Sequence, residues 1–427
     1  MKYGLIGEHL PHSFSKEIHG KFAPYEYGLL ELAPDGVGAF MEAAEFEAIN
    51  VTIPYKQTVM PYLAEIHPQA RAIGAVNTVV RRGGRLYGYN TDFYGMLALV
   101  RRIGVELCGK KVMILGTGGT AKTARAVAEY CSASSVITVG RRAGDGVICY
   151  EDAYARHSDA QFIINTTPCG MYPNADGGEG IAEIPIDVSR FPSLEGTVDA
   201  VYNPIRTNFV LDTRERGLPS EGGLYMLVAQ AVVASRVFLG EEIEAAADDP
   251  ETLRITDRVY GEILKEKENI VLTGMPGSGK STVGRRLAKR LGRPFIDTDE
   301  LIVKSAGKPI TEIFAELGEV GFRDLETRAV REAANGHTGA VIATGGGAIL
   351  RDCNVRALKR SGRVYFLNRS VEALLPTGNR PLASTAEAIR RRFEERYDRY
   401  LATADREVVI DEVIEHTISN IKEDFFG

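Results

Sequence analysis

The run Asn269-Ile270-Val271-Leu272-Thr273 leads directly into Gly274-Met275-Pro276-Gly277-Ser278-Gly279-Lys280-Ser281-Thr282, and no other stretch constrains the chain as tightly. Apolar residues between two polar ends predict a strand covered on both faces. Gly274, Gly277 and Gly279 can take backbone angles closed to other residues, so successive N–H groups can wrap a polyphosphate, with Ser278 and Thr282 in the same cradle. The spacing G-x-x-x-x-G-K-S lets Lys280 reach the β- and γ-phosphates and turns the Ser281 hydroxyl toward Mg2+. Val283, Leu287 and Leu291 follow at helical spacing, which completes the strand, loop and helix that the motif needs. ATP with Mg2+ is the expected ligand. Because the motif opens well past the middle of a 427-residue chain, everything before it must be a separate unit, long enough to be an enzyme in its own right.

The balance of charge narrows the partners. A net charge of −6 argues against nucleic acid and against anionic membranes. Lys2 and Glu8 flank too short an apolar start for a signal peptide, and no apolar run approaches a membrane span. Five cysteines form no C-x-x-C pair and no even framework, so reduced thiols and a cytoplasmic location are expected. Small molecules are the expected partners, and a homo-oligomer is compatible with the sequence.

The first half carries strand ends with polar turns. Tyr3–Gly7 reads as a strand, followed by Pro11-His12-Ser13-Phe14-Ser15, whose alternate hydroxyls suit a polyhydroxylated or carboxylated ligand; a helix cap at Ser15 is the plainer reading. Ile49-Asn50-Val51-Thr52-Ile53-Pro54-Tyr55-Lys56 places Lys56 on a loop at a strand's C-terminal end, where open α/β sheets keep their chemistry. Asn77 and Asp92 lie in two further turns, Gly74-Ala75-Val76-Asn77-Thr78 and Gly88-Tyr89-Asn90-Thr91-Asp92. Together Lys56, Asn77 and Asp92 supply a proton donor, a positioning amide and a carboxylate able to hold the lysine.

A dinucleotide fingerprint comes next. After the strand pattern Lys111–Leu115, Gly116 makes a tight turn, Gly118 and Gly119 allow the backbone to approach a pyrophosphate, and Ala121 permits close helix–strand packing. At the end of the next strand, where a 2′-hydroxyl would call for a carboxylate, the chain places Arg141 and Arg142, which suit a 2′-phosphate and hence NADP(H); a flavodoxin-like domain with surface arginines is the alternative. Turns at Asn165 and at Asp199-Ala200-Val201-Tyr202-Asn203-Pro204 follow two more apolar runs, 174–180 reads as an exposed loop, and Gly223 opens an apolar helix to about Leu239 with Gln230 its one amide. The charged stretch 241–268 is expected to be a linker with one helix, Glu251 to about Lys267.

With its paired serines, N-V-T-x-P-x-K, G-A-V-N-T, N-T-D, G-x-G-G-x-A and M-L-V-x-Q-A segments in order, the chain up to about Leu239 resembles shikimate dehydrogenase. The resemblance implies a substrate domain of residues 1–95 completed by helix 223–240, and a Rossmann NADP domain of residues 96–222. It also implies that Ser13, Ser15, Thr52, Asn77, Asp92 and Gln230 hold shikimate, and that Lys56 exchanges the proton beside Asp92 while NADPH reduces 3-dehydroshikimate. Ala48 stands where that family usually has glycine, and Gly140-Arg141-Arg142 where Asn-Arg-Thr is commoner.

Beyond the phosphate loop, Phe295-Ile296-Asp297-Thr298-Asp299 is a strand ending in alternate carboxylates, one able to orient Mg2+ through water and the other to accept a hydroxyl proton; an aspartate helix cap is the alternative. Arg323 and Glu326 share a helix face, which a surface ion pair would explain. Three glycines, Gly345-Gly346-Gly347, follow a strand, and Arg396 precedes Tyr400, Ala404 and Asp405 at helical spacing. These segments, with R-P-L at Arg380, resemble shikimate kinase over residues 269–427. The resemblance implies a P-loop domain of the nucleoside-monophosphate-kinase type. Arg323, Arg396 and Gly345, Gly346 and Gly347 would bind shikimate, Asp299 would meet its 3-hydroxyl, Asp297 and Ser281 would serve Mg2+, and Arg380 would close over the phosphates. Departures from that family fall at Leu374-Leu375-Pro376 and at Ala383.

The fold class expected is α/β throughout, and the function two consecutive steps on one hydroxylated ring acid. The rival readings are a quinate/shikimate dehydrogenase joined to another small-molecule kinase, and a dehydrogenase joined to a non-catalytic ATP-binding regulatory module.

Overall fold

The computed structural model describes residues 1–11, 13–173, 183–374, 386–411 and 413–427. The chain forms two compact units, Met1–Ile263 and Leu264–Gly427.

The first unit holds two six-stranded sheets. One uses β1 (Tyr3–Gly7), β2 (Tyr27–Glu31), β3 (Ala48–Val51), β4 (Glu65–Ile66), β5 (Thr78–Arg82) and β6 (Arg85–Tyr89), in the order β2-β1-β3-β5-β6-β4. Its β2, β1 and β3 are parallel, whereas β5 runs antiparallel to both β3 and β6, because the short turn at Gly83-Gly84 reverses the chain as a hairpin. Ala48 is fully buried in β3 and pairs with Tyr3 and Val80, so its methyl group fits the sheet.

The second sheet is parallel throughout, with β7 (Lys111–Leu115), β8 (Ser135–Val139), β9 (Val147–Ile148), β10 (Phe162–Asn165), β11 (Gly196–Asp199) and β12 (Ser220–Glu221) in the order β12-β11-β10-β7-β8-β9. Helices cover both faces, and Val112, Met113, Ile114 and Leu115 are accordingly all buried. The strand order reverses direction at β7 and β10, the place where such sheets open a crevice for ligands.

Two helices, Asp92–Arg102 and Leu224–Phe238, both contribute lining to one cavity of this unit. They touch without slack: a β-carbon on Gly95 would lie 2.6 Å from the Met226 carbonyl oxygen and 2.9 Å from Gln230 Cβ.

The segment expected to be a linker is instead largely part of this unit. It contains two helices, Ile243–Asp248 and Pro250–Lys267. Ile243 is buried in a cluster with Val233, Val237 and Phe238, and Val259 and Ile263 are also fully buried. Arg236 fastens the joint between the helices, donating to Glu241 at 2.9 Å and to Asp249 at 2.5 Å. Charged residues dominate the sequence there, but Thr252, Thr256, Val259, Tyr260 and Ile263 recur at helical spacing and form a buried stripe.

The second unit has one parallel sheet, β14 (Phe295–Asp297), β15 (Val341–Ala343), β13 (Asn269–Thr273), β16 (Gly362–Asn368) and β17 (Arg406–Val409), in that spatial order. Every residue of β13 is buried. Its polar Asn269 survives there because the side chain donates to the His337 carbonyl and accepts from the Ala340 N–H, at 3.0 and 2.8 Å. No helix among the described residues is long and apolar enough to cross a membrane.

Candidate active sites

In the first unit Ser13, Ser15, Thr52, Lys56, Asn77, Asp92 and Gln230 all line one cavity of about 340 Å³. Lys56 lies just beyond β3 and Asp92 opens the helix Asp92–Arg102; the lysine ammonium donates to Asp92 Oδ2 at 2.6 Å. Both side chains keep partial access to solvent, 28% and 18%, so the pair faces the cavity rather than the core. Asn77 is nearly buried, with Oδ1 accepting from the Thr91 N–H at 2.7 Å and from the Thr78 hydroxyl at 2.9 Å, while Nδ2 donates to Thr91 Oγ1 at 3.1 Å. That fixes the amide's orientation and leaves one N–H for a ligand. Gln230 donates to the Leu227 carbonyl at 2.9 Å and accepts from Thr91 at 3.4 Å.

Ser15 begins the helix Ser15–Gly20 rather than capping it. Phe14 occupies the cap and makes no side-chain bond there. Ser13 Oγ instead accepts from the Ser15 N–H at 3.3 Å, which sets the two hydroxyls on one turn.

The same unit contains the β7 turn. Gly116 has φ of +111°, and a β-carbon there would meet Thr166 Oγ1 at 2.7 Å, so only glycine fits. At Gly118 and Gly119 a β-carbon would meet nothing within 4 Å. The open space lies against the N-terminus of the helix Gly119–Tyr130, where an anion is favoured, and Ala121 is buried one turn in. Arg141 and Arg142, just past β8, are exposed, and neither guanidinium makes a hydrogen bond or ion pair among the described residues. The residues present therefore fit a phosphorylated dinucleotide.

The second unit builds its site around three glycines. A β-carbon on Gly345 would lie 2.7 Å from both Asp299 Oδ1 and Glu326 Oε1; on Gly346, 2.8 Å from Pro276; on Gly347, 1.9 Å from Arg323 Nη1. The bare backbone thus lets Asp299, Arg323 and the phosphate loop converge. Arg396 and Tyr400 donate to the Gly346 carbonyl at 3.2 and 2.5 Å.

The Arg323–Glu326 pair is not on the surface. Glu326 is 1% exposed and Arg323 8%, with a 2.7 Å bond between them and a second, 3.1 Å, from Arg323 to Glu319. Burial pushes the Glu326 carboxyl above its usual range, and the Arg323 guanidinium draws it back. Glu326 Oε1 and Arg323 Nε are buried without a hydrogen-bond partner, an acceptor and a donor that a hydroxylated ligand could satisfy.

In the phosphate loop Gly274, Gly277 and Gly279 have φ of +147°, +83° and +94°. Lys280, at the start of the helix Lys280–Leu291, donates to the Gly274 and Met275 carbonyls at 2.8 and 2.9 Å, and Ser278 Oγ is buried without a partner. Thr282 is exposed on the helix's first turn. Asp297 does two things. Its Oδ1 caps the helix Thr298–Ala306 through the Asp299 N–H at 3.0 Å, as the plainer reading supposes, and its Oδ2 accepts from Ser281 Oγ at 2.6 Å. That hydroxyl–carboxylate pair beside the loop fits a hydrated Mg2+ on a nucleotide's phosphates.

Arg380, the 174–180 loop, Leu375-Pro376 and Ala383 fall outside the described residues. Leu374 is buried with Met275 of the phosphate loop, Phe366 and Tyr400.

Comparison with known proteins gives the family. Residues 5–79 match the family model "Shikimate dehydrogenase substrate binding domain", and residues 276–424 match "Shikimate kinase". A shikimate dehydrogenase (NADP(+)) of Clostridium perfringens is 34% identical over 264 residues, which cover 58% of this chain and 95% of that protein. The chain belongs to the shikimate dehydrogenase family. One from Halothermothrix orenii is 35% identical over 267 residues, 56% of this chain and 90% of that one. Among solved structures, shikimate dehydrogenase 1 from Peptoclostridium difficile is 32% identical with a TM-score of 0.52, covering 62% of this chain and 98% of its own. A chorismate mutase/shikimate 5-dehydrogenase fusion protein from Clostridium acetobutylicum gives 32% and 0.53, covering 61% and 96%. A shikimate kinase domain follows this shikimate dehydrogenase in the same chain, so one polypeptide carries two activities of the shikimate pathway.

Several residues of the dehydrogenase cavity escape the sequence reading. Tyr202 and Phe14 form part of its wall, ring centroids 5.5 Å apart, and His9 and Leu227 line it as well. Tyr202 had a signal: it sits in the turn after β11, where strand-end logic nominates ligand contacts. In the kinase domain Glu326 is visible in sequence only as half of an ion pair; its burial needs the fold.

Proposed function

We propose that the dehydrogenase half reduces 3-dehydroshikimate to shikimate and that the kinase half phosphorylates the 3-hydroxyl so formed, from ATP with Mg2+. The observation that carries the first step is the 2.6 Å Lys56–Asp92 pair in a cavity that also gathers the side chains of Ser13, Ser15, Thr52, Asn77 and Gln230. NADPH, when bound, supplies the hydride. Lys56 gives its proton to the carbonyl oxygen as that oxygen gains charge, and Asp92 keeps the ammonium aimed. Ser13, Ser15, Thr52, Asn77 and Gln230 hold the ring's hydroxyls and carboxylate. Gly116, Gly118, Gly119 and Ala121 give the pyrophosphate its turn and helix end, and Arg141 and Arg142 take the 2′-phosphate.

For the second step Arg323 and Arg396 hold the acid beside Gly345, Gly346 and Gly347, and Asp299 accepts the 3-hydroxyl proton. Lys280 and the loop amides stabilise the transferring charge, while Ser281 and Asp297 orient the Mg2+. Arg380 is proposed to close over the phosphates. The reading includes a cytoplasmic location, which the five free cysteines support.

Cofactor preference tests it. With shikimate, kcat/KM for NADP+ is expected to exceed that for NAD+ by tenfold or more, and the double variant Arg141→Ala/Arg142→Ala to lose most of the preference. Equal use of both cofactors by the unaltered chain would favour the quinate/shikimate alternative.

A further inference from the structure

A second cavity, of about 520 Å³, lies within the first unit and shares no lining residue with the catalytic one. Its walls are the helices Asp92–Arg102 and Leu224–Phe238 and the segment 247–257. Leu97, Ala98, Ala229, Val233 and Leu253 give it an apolar lining.

Most charges around it are already matched. Asp249 accepts from Arg236 at 2.5 Å, Asp257 accepts from Arg102 at 3.2 Å and from the Tyr225 hydroxyl at 2.9 Å, and the Arg102 guanidinium lies 4.3 and 4.6 Å from the ring centroids of Tyr225 and Tyr260. Two are not. Arg101 and Asp248 line the cavity and are exposed, and neither the guanidinium nor the carboxylate makes a hydrogen bond or ion pair among the described residues. One unmatched cation and one unmatched anion at the mouth of an apolar cavity suit a ligand with both charges and an apolar body.

The geometry points to an effector site for a small α-amino acid with an apolar or aromatic side chain, its carboxylate on Arg101, its ammonium on Asp248 and its side chain among Leu97, Ala98 and Val233. Its occupancy would be read at the catalytic cavity through the two helices that form both. Asp92 heads the first helix, Gln230 follows Ala229 on the second, and the close contact at Gly95 leaves neither free to shift alone.

Isothermal titration of the full chain with L-phenylalanine tests the site, with 3-phenylpropanoate and 2-phenylethylamine as probes that each lack one charge. One L-phenylalanine is expected to bind per chain, each half-probe at least tenfold more weakly. Arg101→Gln should erase the advantage over 2-phenylethylamine, Asp248→Asn the advantage over 3-phenylpropanoate, and Ala98→Phe should abolish binding by filling the space. Saturating L-phenylalanine should shift the KM for shikimate at least twofold in the unaltered chain and leave it unchanged in Arg101→Gln. No binding at millimolar concentration, binding indifferent to all three variants, or binding without any kinetic effect would overturn the proposal. The kinetic arm rests on the dehydrogenase reading and the titration does not, so failure to turn over shikimate and failure to bind the amino acid are told apart.

Discussion

Lys56 and Asp92 are 36 positions apart in the chain and 2.6 Å apart in space, and the proposed chemistry of the first step depends on that approach. Replacing Lys56 by alanine removes the proposed proton donor, so dehydrogenase kcat is expected to fall by about two to four decades. The kinase rate of the same preparation should stay as it was. Steady-state assays of both reactions on one sample check it, and an equal fall in both would mean that the variant damages more than its own cavity. Glu326 makes a different kind of prediction. Glu326→Ala leaves the nearly buried Arg323 with Glu319 as its one remaining ion-pair partner among the described residues, and breaking a buried ion pair from one side costs about 3–5 kcal/mol. Thermal unfolding should show the loss, together with a raised KM for shikimate in the kinase reaction. Lys56 was legible in the sequence because a proline and a strand end announce its loop. The burial of Glu326 was not, since an i, i+3 pair looks the same in sequence whether it faces water or three glycines.

At the scale of elements, β10 and β11 share a buried carboxylate that titrates near neutrality. Asp199 is fully buried; Thr207, the Val201 N–H and Asn165 donate to it at 2.6, 2.9 and 2.9 Å. Burial outweighs those three donors and pushes its carboxyl up from 3.8 to about 7. Because the folded chain holds this proton more tightly than the unfolded chain, the contribution to stability is full below about pH 4. It is lost as pH rises toward 7, by a total of order 4 kcal/mol. Asp199→Asn should flatten that part of the stability–pH curve, measured by denaturant unfolding of both proteins between pH 4 and 8; an unchanged slope would count against a protonated Asp199. Elements with continuous apolar runs, such as β7 and β13, were legible from sequence because sheets covered on both faces require them. The helices Ile243–Asp248 and Pro250–Lys267 were misread as mainly linker because dense surface charge masks a narrow buried stripe, and because Arg236, which ties them down, lies in an earlier helix.

Over the whole molecule, each of the two units carries its own candidate site: the dehydrogenase cavity draws its lining from residues 5–230, and the described part of the kinase site is built between Gly274 and Tyr400. The chemistry links them, because the hydroxyl formed at the first is the nucleophile required at the second. The most direct measurement is a single incubation of the full chain with 3-dehydroshikimate, NADPH, ATP and Mg2+, its products identified by mass. Shikimate 3-phosphate should accumulate, with one NADPH oxidised and one ATP consumed per molecule, and omission of ATP should stop the reaction at shikimate. Recovery of unreduced 3-dehydroshikimate, or of shikimate left unphosphorylated with ATP and Mg2+ present, would contradict the account.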